Sequence, residues 1–283
     1  MLTDSFLARL DALRLAVRGR AQGGAGGSRR SAKLGSSAEF SDYREYIPGD
    51  DIRRIDWNAL ARFDRLFLKL FMEEQESAVT ILLDSSASMA EKWDAARMAA
   101  ETVGYLALTG GDRLKVIALR ESVPLESPVL AGRPAYARLE QFLDTCTPGG
   151  GGSLAVAVRQ IQGLRKGLCF LVSDCYAEKD ELEETLDFLR YCRQETGVIQ
   201  VLSPFELEPA LDGALRLTDA ETGSTVDVLA DRGALQQYRR TLDAFLEEVR
   251  GACFRRETPY MLLDSGKPFE EEMIPMLVRS GII

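Results

Sequence analysis

Residues 78–89 read AVTILLDSSASM, a mostly apolar run that ends abruptly in an aspartate and three serines. The apolar part, Ala78–Asp84, has the length and the β-branched content of a strand that is buried on both faces. Comparable runs follow at Leu114–Leu119, Leu168–Val172 and Val198–Leu202, with helical patterns between them. Because apolar strands that alternate with helices form parallel sheets, we expect a sheet with helices on both faces.

The complete fold class that we predict is α/β, with a doubly wound and mostly parallel sheet, an extra β-hairpin and an N-terminal extension. Further strands are expected at Phe67–Met72 and around Tyr260–Leu263. The hairpin is expected from Leu215–Asp219 and Thr225–Leu229, as a local antiparallel addition, because Glu221-Thr222-Gly223 has the composition of a turn. Helices are expected at residues 4–18, Lys92–Leu108, Arg133–Thr145, Ser153–Gly163, Asp180–Glu195 and Arg232–Arg250, and at the C-terminal end.

Composition divides the chain into three parts. Residues 1–37 combine a basic amphipathic helix with a Gly/Ser/Arg stretch, Gly19–Ser37, of linker composition. Residues 38–75 form a charged extension, and residues 76–283 form the α/β domain. The helix is read either as a docked or frayed end on a tether, or as a membrane-surface or partner-docking element.

The charged extension is also open to two interpretations. Opposite charges are dense between Tyr43 and Arg65. They predict ion pairs that fix the extension to the sheet, with Trp57 as an anchor in the core. Alternatively, they form a partner-binding surface, because Arg and Trp are enriched at interface hot spots.

Several classes of function are disfavoured by composition. The chain of 283 residues has no histidine, which excludes Ser-His-Asp and Cys-His catalysis. Its net charge of −9 argues against nucleic-acid binding, which needs a basic surface. No apolar run reaches the length of about 18 residues that a transmembrane helix needs. The five cysteines form no CxxC pair, so we expect free thiols and a cytoplasmic location.

Polar side chains follow the predicted strands at the points where these strands end. Asp84, Ser86 and Ser88 follow the first apolar strand, Ser153 follows four consecutive glycines, and Asp174 follows a later strand. The carboxyl ends of parallel strands meet at one edge of a sheet, where ligands usually bind. Carboxylate and hydroxyl oxygens are hard ligands, so the five residues predict a site for Mg²⁺ or Mn²⁺.

Each of these residues has an expected role. Ser86 and Ser88 would coordinate directly, Asp84 would lie close by or act through water, and Ser153 would add a third hydroxyl. Asp174 would orient a bound water. This set leaves one coordination position open for an anionic oxygen, such as a Glu or Asp side chain of another protein. Taken singly, Asp84, Ser86 or Ser88 is equally typical of a helix cap.

At these residues the sequence resembles a von Willebrand factor type A (vWA) domain, a Rossmann-like fold. Such domains carry a metal-ion-dependent adhesion site with an Asp-x-Ser-x-Ser loop, a later Thr and a later Asp. Asp84, Ser86 and Ser88 match the loop, and Asp174 matches the final Asp. Ser153 stands where the family usually has Thr, a change that keeps the hydroxyl and loses a methyl group.

The segment before the metal loop contains Glu39-Phe40, Tyr43-Arg44-Glu45-Tyr46, Pro48-Gly49-Asp50-Asp51, Arg53, Ile55-Asp56-Trp57 and Ala61-Arg62. This series of motifs resembles the bacterial family known as domain of unknown function fifty-eight. The resemblance implies a cytoplasmic partner, a MoxR-type AAA+ ATPase or its client, and an assembly, maturation or chaperone-like role.

The function that we predict is a non-enzymatic, metal-dependent protein-binding module that acts as an adaptor. One alternative is an Mg²⁺-dependent phosphohydrolase that resembles the haloacid dehalogenase class. That class needs a second Asp where Ser86 stands, so the general acid/base is missing. The other alternative is a scaffold with a vestigial metal site. A P-loop ATPase is disfavoured because Gly23–Ser31 has no Gly-Lys-Ser/Thr.

Overall fold

The computed structural model describes residues 2–21, 34–47, 50, 52, 55–63, 65–72, 78–120, 123–176, 180–209, 213–220 and 223–280. The chain divides into two units, which we describe separately. One comprises Met1–Arg20 and Ser77–Ile283, and the other comprises Ala21–Glu76.

The strands are β1 (Leu34–Glu45), β2 (Phe67–Met72), β3 (Ala78–Asp84), β4 (Arg113–Leu119), β5 (Leu125–Glu126), β6 (Leu130–Ala131), β7 (Gly167–Ser173), β8 (Gln194–Leu202), β9 (Gly213–Thr218), β10 (Thr225–Ala230) and β11 (Tyr260–Asp264). The α-helices are α1 (Asp4–Ala21), α2 (Trp57–Phe63), α3 (Trp93–Thr109), α4 (Tyr136–Thr145), α5 (Leu154–Arg159), α6 (Glu181–Tyr191), α7 (Pro204–Leu207), α8 (Arg232–Phe254) and α9 (Phe269–Arg279). Short 3₁₀ helices occupy Ala87–Lys92 and Arg133–Ala135.

The larger unit contains a sheet whose strands lie in the order β11-β8-β7-β3-β4-β5, with β6 also paired to β4. Strands β11, β8, β7, β3 and β4 are parallel, and β5 and β6 run antiparallel to β4. The chain proceeds from β3 to β4 on one side and then returns past β3 to β7, β8 and β11. This order is that of a doubly wound sheet. Because the direction of strand addition reverses between β3 and β7, the carboxyl ends of these two strands form a topological switch point. The predicted fold class is confirmed.

Helices cover both faces of the sheet because the strands are apolar on both faces. Ile81 and Leu83 of β3 pack in a core with α1, α3, α4 and α9. Leu82 faces the opposite side and packs in a second core with α5, α6 and α8. All three side chains are fully buried. Strand β3 is therefore central, and it is held between both cores.

Helix α1 packs against the first core of the larger unit. Phe6 and Leu10 are fully buried in the first core. The hydroxyl of Tyr105 donates hydrogen bonds of 3.0 Å to Asp11, and Arg133 forms an ion pair of 2.8 Å with the same carboxylate. Of the arrangements that the sequence left open, the first turns of this helix adopt the docked one. In the sequence, Leu13 and Val17 fall on the same helical face as Phe6 and Leu10. Their side chains lie outside the described residues.

The smaller unit contains an antiparallel sheet that sequence reasoning missed. Strand β1 pairs with β2, with Tyr43 opposite Lys69. It begins at Leu34, and α1 continues to Ala21, so the linker prediction for Gly19–Ser37 is wrong at both ends. At the C-terminal end, backbone pairing with β2 takes the chain into a strand. Residues 22–33 lie outside the described residues.

The prediction that Trp57 anchors a core is wrong. Its side chain is 62% exposed, whereas Ile55, Ala59 and Leu68 are buried. Asp56 explains the difference, because its carboxylate accepts a hydrogen bond of 2.9 Å from the Asn58 N–H at the start of α2. This cap leaves Trp57 on the outer side of the first turn.

Two ion pairs are described in the charged segment. Arg44 binds Asp50 at 2.8 Å, and Arg65 lies 3.8 Å from Glu45. The Ile47 N–H and the Arg44 guanidinium both donate to Asp50 and hold its pKa below the ordinary value. Some residues between Tyr43 and Arg65 lie outside the described residues, namely Pro48, Gly49, Asp51, Arg53, Arg54 and Asp64.

Several element boundaries differ from the prediction. Helix α6 ends at Tyr191 rather than at Glu195, because Arg193 adopts a left-handed φ of 59° and β8 begins directly afterwards. Helix α5 ends at Arg159, four residues before Gly163. The hairpin β9–β10 pairs in the predicted antiparallel manner but forms its own two-stranded sheet, whereas β5 and β6 supply the antiparallel addition to the main sheet. Its turn residues Glu221 and Thr222 lie outside the described residues.

All five cysteines are free, and Cys192 alone among them is partly exposed. In the described part of the chain, no helix combines the length and the apolar character needed to cross a membrane.

Close approach of β3 and β7 gives a prediction about stability. A Cβ atom at Gly167 would lie 2.0 Å from the carbonyl oxygen of Ala78, so the two strands would have to separate locally. We expect Gly167→Ala to lower the free energy of unfolding by about 1–3 kcal/mol, measured by urea denaturation.

Gly149→Ala is the matched control, because a Cβ atom there meets nothing within 4 Å. We expect it to change the free energy of unfolding by about 0.5 kcal/mol or less. Equal denaturation midpoints for the two variants would contradict the register of β3 against β7.

Candidate metal centre

A hydrogen bond between two side chains joins the ends of β3 and β7. The Ser173 hydroxyl donates to Asp84 Oδ2 at 2.6 Å, and the Ser86 N–H donates to Asp84 Oδ1 at 3.0 Å. Burial raises the pKa of Asp84, and the charge of Asp174 raises it further, while the two hydrogen bonds act in the opposite direction. Asp84 is therefore a fixed carboxylate in an environment that favours a nearby positive charge.

The loop after β3 places two hydroxyl groups beside each other. Ser86 Oγ and Ser88 Oγ are 3.0 Å apart. Ser86 precedes the 3₁₀ helix at Ala87–Lys92, but its side chain makes no capping hydrogen bond. Its hydroxyl is therefore not used as a helix cap, the alternative that the sequence left open.

The glycine turn holds this loop through backbone hydrogen bonds. The Ala87 N–H donates to Gly150 O at 2.8 Å, and the Gly149 N–H donates to Ser85 O at 2.9 Å. Gly150 has a φ of 77°, a conformation in which a side chain would be strained. The turn is thus a structural support that fixes the serine loop and leads the chain to Ser153.

Ser153 is both a helix cap and part of the cleft. Its Oγ accepts a hydrogen bond of 3.2 Å from the Val156 N–H at the start of α5, so a capping role is present here. The residue is exposed, and it lines the same cleft as Asp84 and Ser86. Its hydroxyl proton goes to the carboxylate of Glu181, which lines this cleft too.

Asp174 lies in the interior, where it faces a buried lysine. Lys92 Nζ is 2.9 Å from Asp174 Oδ2, and each side chain is 1% exposed. Asp174 Oδ1 accepts a hydrogen bond of 3.0 Å from the Tyr176 N–H. Lys92 also pairs with Glu206 and lies 5.0 Å from the ring centroid of Tyr176. The ammonium thus offsets part of the cost of burying the Asp174 carboxylate.

The structure brings the predicted residues together in two layers. Asp84, Ser86 and Ser153 line the cleft itself. Ser88 contacts Ser86, and Asp174 lies close enough for its charge to raise the pKa of Asp84. Within the described ranges, no group of three or more Cys, Asp or Glu side chains is placed to hold a metal. A metal here would therefore need the serine hydroxyls as ligands.

Sequence reasoning missed four residues of this region. Ser173, Lys92, Glu181 and Arg120 either line the cleft or bind the predicted residues. Ser173 carried a usable signal, because it directly precedes Asp174 at a strand end. The other three carried none, since lysine, glutamate and arginine at the ends of helices and strands are usually solvated.

Several known proteins are similar to this chain. An uncharacterized protein of Mycobacterium tuberculosis is 27% identical over 253 residues, covering 86% of this chain and 79% of that protein. The crystal structure of BatB from Bacteroides thetaiotaomicron covers 73% of this chain and 100% of its own, at 12% identity and a TM-score of 0.43. The SpRpn10 VWA domain covers 70% of this chain and 93% of its own, at 10% identity and a TM-score of 0.38. The fold assignment itself rests on the strand order of this chain.

The family match extends across both units. It covers residues 42–247, from near the end of β1 to the second half of α8, and it includes the loop after β3 and the end of β7. This chain is therefore a member of the DUF58 family, whose description is "Protein of unknown function".

Proposed function

We propose that this chain is a non-enzymatic, divalent-metal-dependent protein-binding module. In this proposal, the cleft at the ends of β3 and β7 holds Mg²⁺ or Mn²⁺ and binds an acidic side chain of a partner. The observation that carries the proposal is the pair of serine hydroxyls, Ser86 and Ser88, held 3.0 Å apart beside the Asp84 carboxylate.

The spacing of these hydroxyls fits a small cation. Mg²⁺ prefers octahedral coordination with bonds of about 2.0–2.1 Å, so two ligands at adjacent corners are about 2.9 Å apart. The observed distance of 3.0 Å is therefore compatible with two adjacent ligands of Mg²⁺ or Mn²⁺.

The charges around the cleft also support a cation. Asp174 and Glu206 both pair with the buried ammonium of Lys92, and the charge of Asp174 acts on Asp84, so the three carboxylates exceed the one ammonium. The carboxylates of Asp84 and Glu181 line the cleft. Glu181 accepts hydrogen bonds from Ser153 and the Ala155 N–H, so Asp84 is the carboxylate beside the serine loop. One carboxylate and several neutral hydroxyls only partly neutralise a dication, which leaves an affinity for an anionic ligand. Arg120 lines the same cleft and adds to this preference.

Binding is favoured over phosphate-ester hydrolysis by the surroundings of Asp84. Both of its oxygens already accept hydrogen bonds, from the Ser86 N–H and the Ser173 hydroxyl, so the carboxylate is held in place. A phosphohydrolase of the class considered above needs a second Asp two residues later, and Ser86 cannot act as a general acid/base there.

The partner that we propose is a MoxR-type AAA+ ATPase or its client, in the cytoplasm. Support comes from the resemblance of the segment before β3 to a family that is associated with such ATPases. An acidic side chain on the partner would complete the coordination of the metal, and the chain would act as an adaptor.

Metal binding is the first prediction of this proposal. We expect the wild-type chain to bind one Mg²⁺ or Mn²⁺, measured by isothermal titration calorimetry. Asp84→Asn should abolish binding because it removes the negative charge beside the metal. Ser86→Ala should abolish binding because it removes a ligand oxygen. Asp174→Ala should lower the affinity about 10–100-fold, as expected for a residue that acts through a neighbouring group.

Asp231→Asn is the matched control for Asp84→Asn. Asp231 also follows a strand and caps a helix, because its carboxylate accepts a hydrogen bond of 2.7 Å from the Ala234 N–H. The Asp231→Asn variant should bind metal with the affinity of the wild type. Wild-type affinity in Asp84→Asn would show that the cleft is not the metal site.

Metal-dependent partner binding is a separate prediction. A tagged chain used as bait in the native lysate should recover an AAA+ ATPase in the presence of Mg²⁺ and lose it in the presence of EDTA. The Asp84→Asn chain should fail to recover it under both conditions.

The same set of proteins with Mg²⁺ and with EDTA would support the scaffold alternative instead. Turnover of a generic phosphate ester by the wild type, abolished in Asp84→Asn, would support the phosphohydrolase.

A further inference from the structure

Glu181, the first residue of α6, reaches across to the start of α5. Its Oε1 accepts a hydrogen bond from the Ser153 hydroxyl and another, of 3.0 Å, from the Ala155 N–H. Both Glu181 and Ser153 line the cleft that contains Asp84 and Ser86. A carboxylate from a different helix is thus bound directly to a predicted metal ligand.

The hydrogen bonds of Ser153 leave one lone pair on its hydroxyl oxygen for a further ligand. A hydroxyl group has one proton to donate and two lone pairs with which to accept. The proton goes to Glu181, and one lone pair accepts from the Val156 N–H. The second lone pair remains for a cation, and the proton is kept away from it because the carboxylate holds it.

Serine needs such a partner more than threonine does. Threonine is branched at Cβ, so its χ1 rotamers are restricted, whereas serine rotates more freely. Ser153 is exposed, so packing does not fix its rotamer. The contact with Glu181 adds a second restraint to the capping hydrogen bond from the Val156 N–H.

We propose that Glu181 is a positioning residue for the metal centre, which orients the Ser153 hydroxyl so that its oxygen faces the cation. This inference rests on the proposed function, because it assigns a role toward the same metal. Glu181 acts through Ser153 and the Ala155 N–H. The property required is an oxygen that accepts both hydrogen bonds, and the negative charge of the carboxylate is not required.

The test is the affinity for Mn²⁺, measured by titration calorimetry on the full chain without a partner. We expect Glu181→Ala to lower the affinity about 10-fold, the lower end of the range for groups that orient metal ligands. Glu181→Gln keeps an oxygen that can accept both hydrogen bonds, so it should stay within about 3-fold of the wild type.

Rescue by a stiffer side chain distinguishes positioning from a general structural role. Ser153→Thr alone gives the reference affinity for the double variant. Added to Glu181→Ala, it should restore most of the lost affinity, because the β-branched side chain restricts χ1 without the carboxylate. Thermal unfolding without metal reports whether each variant is folded.

Several results would overturn the inference while the proposed function stands. These are wild-type or tighter Mn²⁺ binding by Glu181→Ala, a loss in Glu181→Gln as large as in Glu181→Ala, or no rescue by Ser153→Thr. If the wild-type chain binds no Mn²⁺, both the proposed function and this inference are wrong.

Discussion

Parallel pairing between β3 and β7 constrains everything at the candidate site. It brings the ends of both strands to one edge of the sheet, so Asp84 and Asp174 come close enough for their charges to interact. Two like charges in a partly buried setting are unfavourable unless cations or hydrogen bonds compensate them. Lys92 compensates Asp174 from the interior, and Ser173 and Ser86 donate to Asp84. The cleft side of Asp84 is where a further cation is favoured.

Most of the fold could be predicted from the sequence because its strands are strongly apolar and separated by periodic helices. Strands β2 and β3 have the predicted ends, and β7 differs by one residue at each end. Where the structure differs, tertiary contacts overrode local pattern. Strand β1 forms through pairing with β2, although its Gly/Ser-rich start has linker composition. Trp57 is exposed because the Asp56 cap decides where α2 begins, which hydrophobicity alone does not indicate.

The site was predictable only in part, for a physical reason. Strand ends identify residues that share an edge, so Asp84, Ser86 and Ser88 could be placed together from their positions. The charge balance could not be predicted, because the sequence does not show that Lys92, at the start of a helix, is buried against Asp174. Glu181 was equally hidden, since acidic residues in the first turn of a helix are explained by the helix dipole. Its contact with Ser153 exists only through the packing of α5 beside α6.

The central claim is that serine hydroxyls at the end of β3 hold a divalent cation. Its most direct test is a crystal structure of the full chain grown with Mn²⁺, with the anomalous signal of the metal recorded. We predict a single anomalous peak in the cleft, about 2.0–2.3 Å from Ser86 Oγ and Ser88 Oγ, with Ser153 Oγ or a water that Asp84 holds completing the set. Ordered side chains at these positions without any anomalous peak, or with a peak elsewhere on the molecule, would contradict the account.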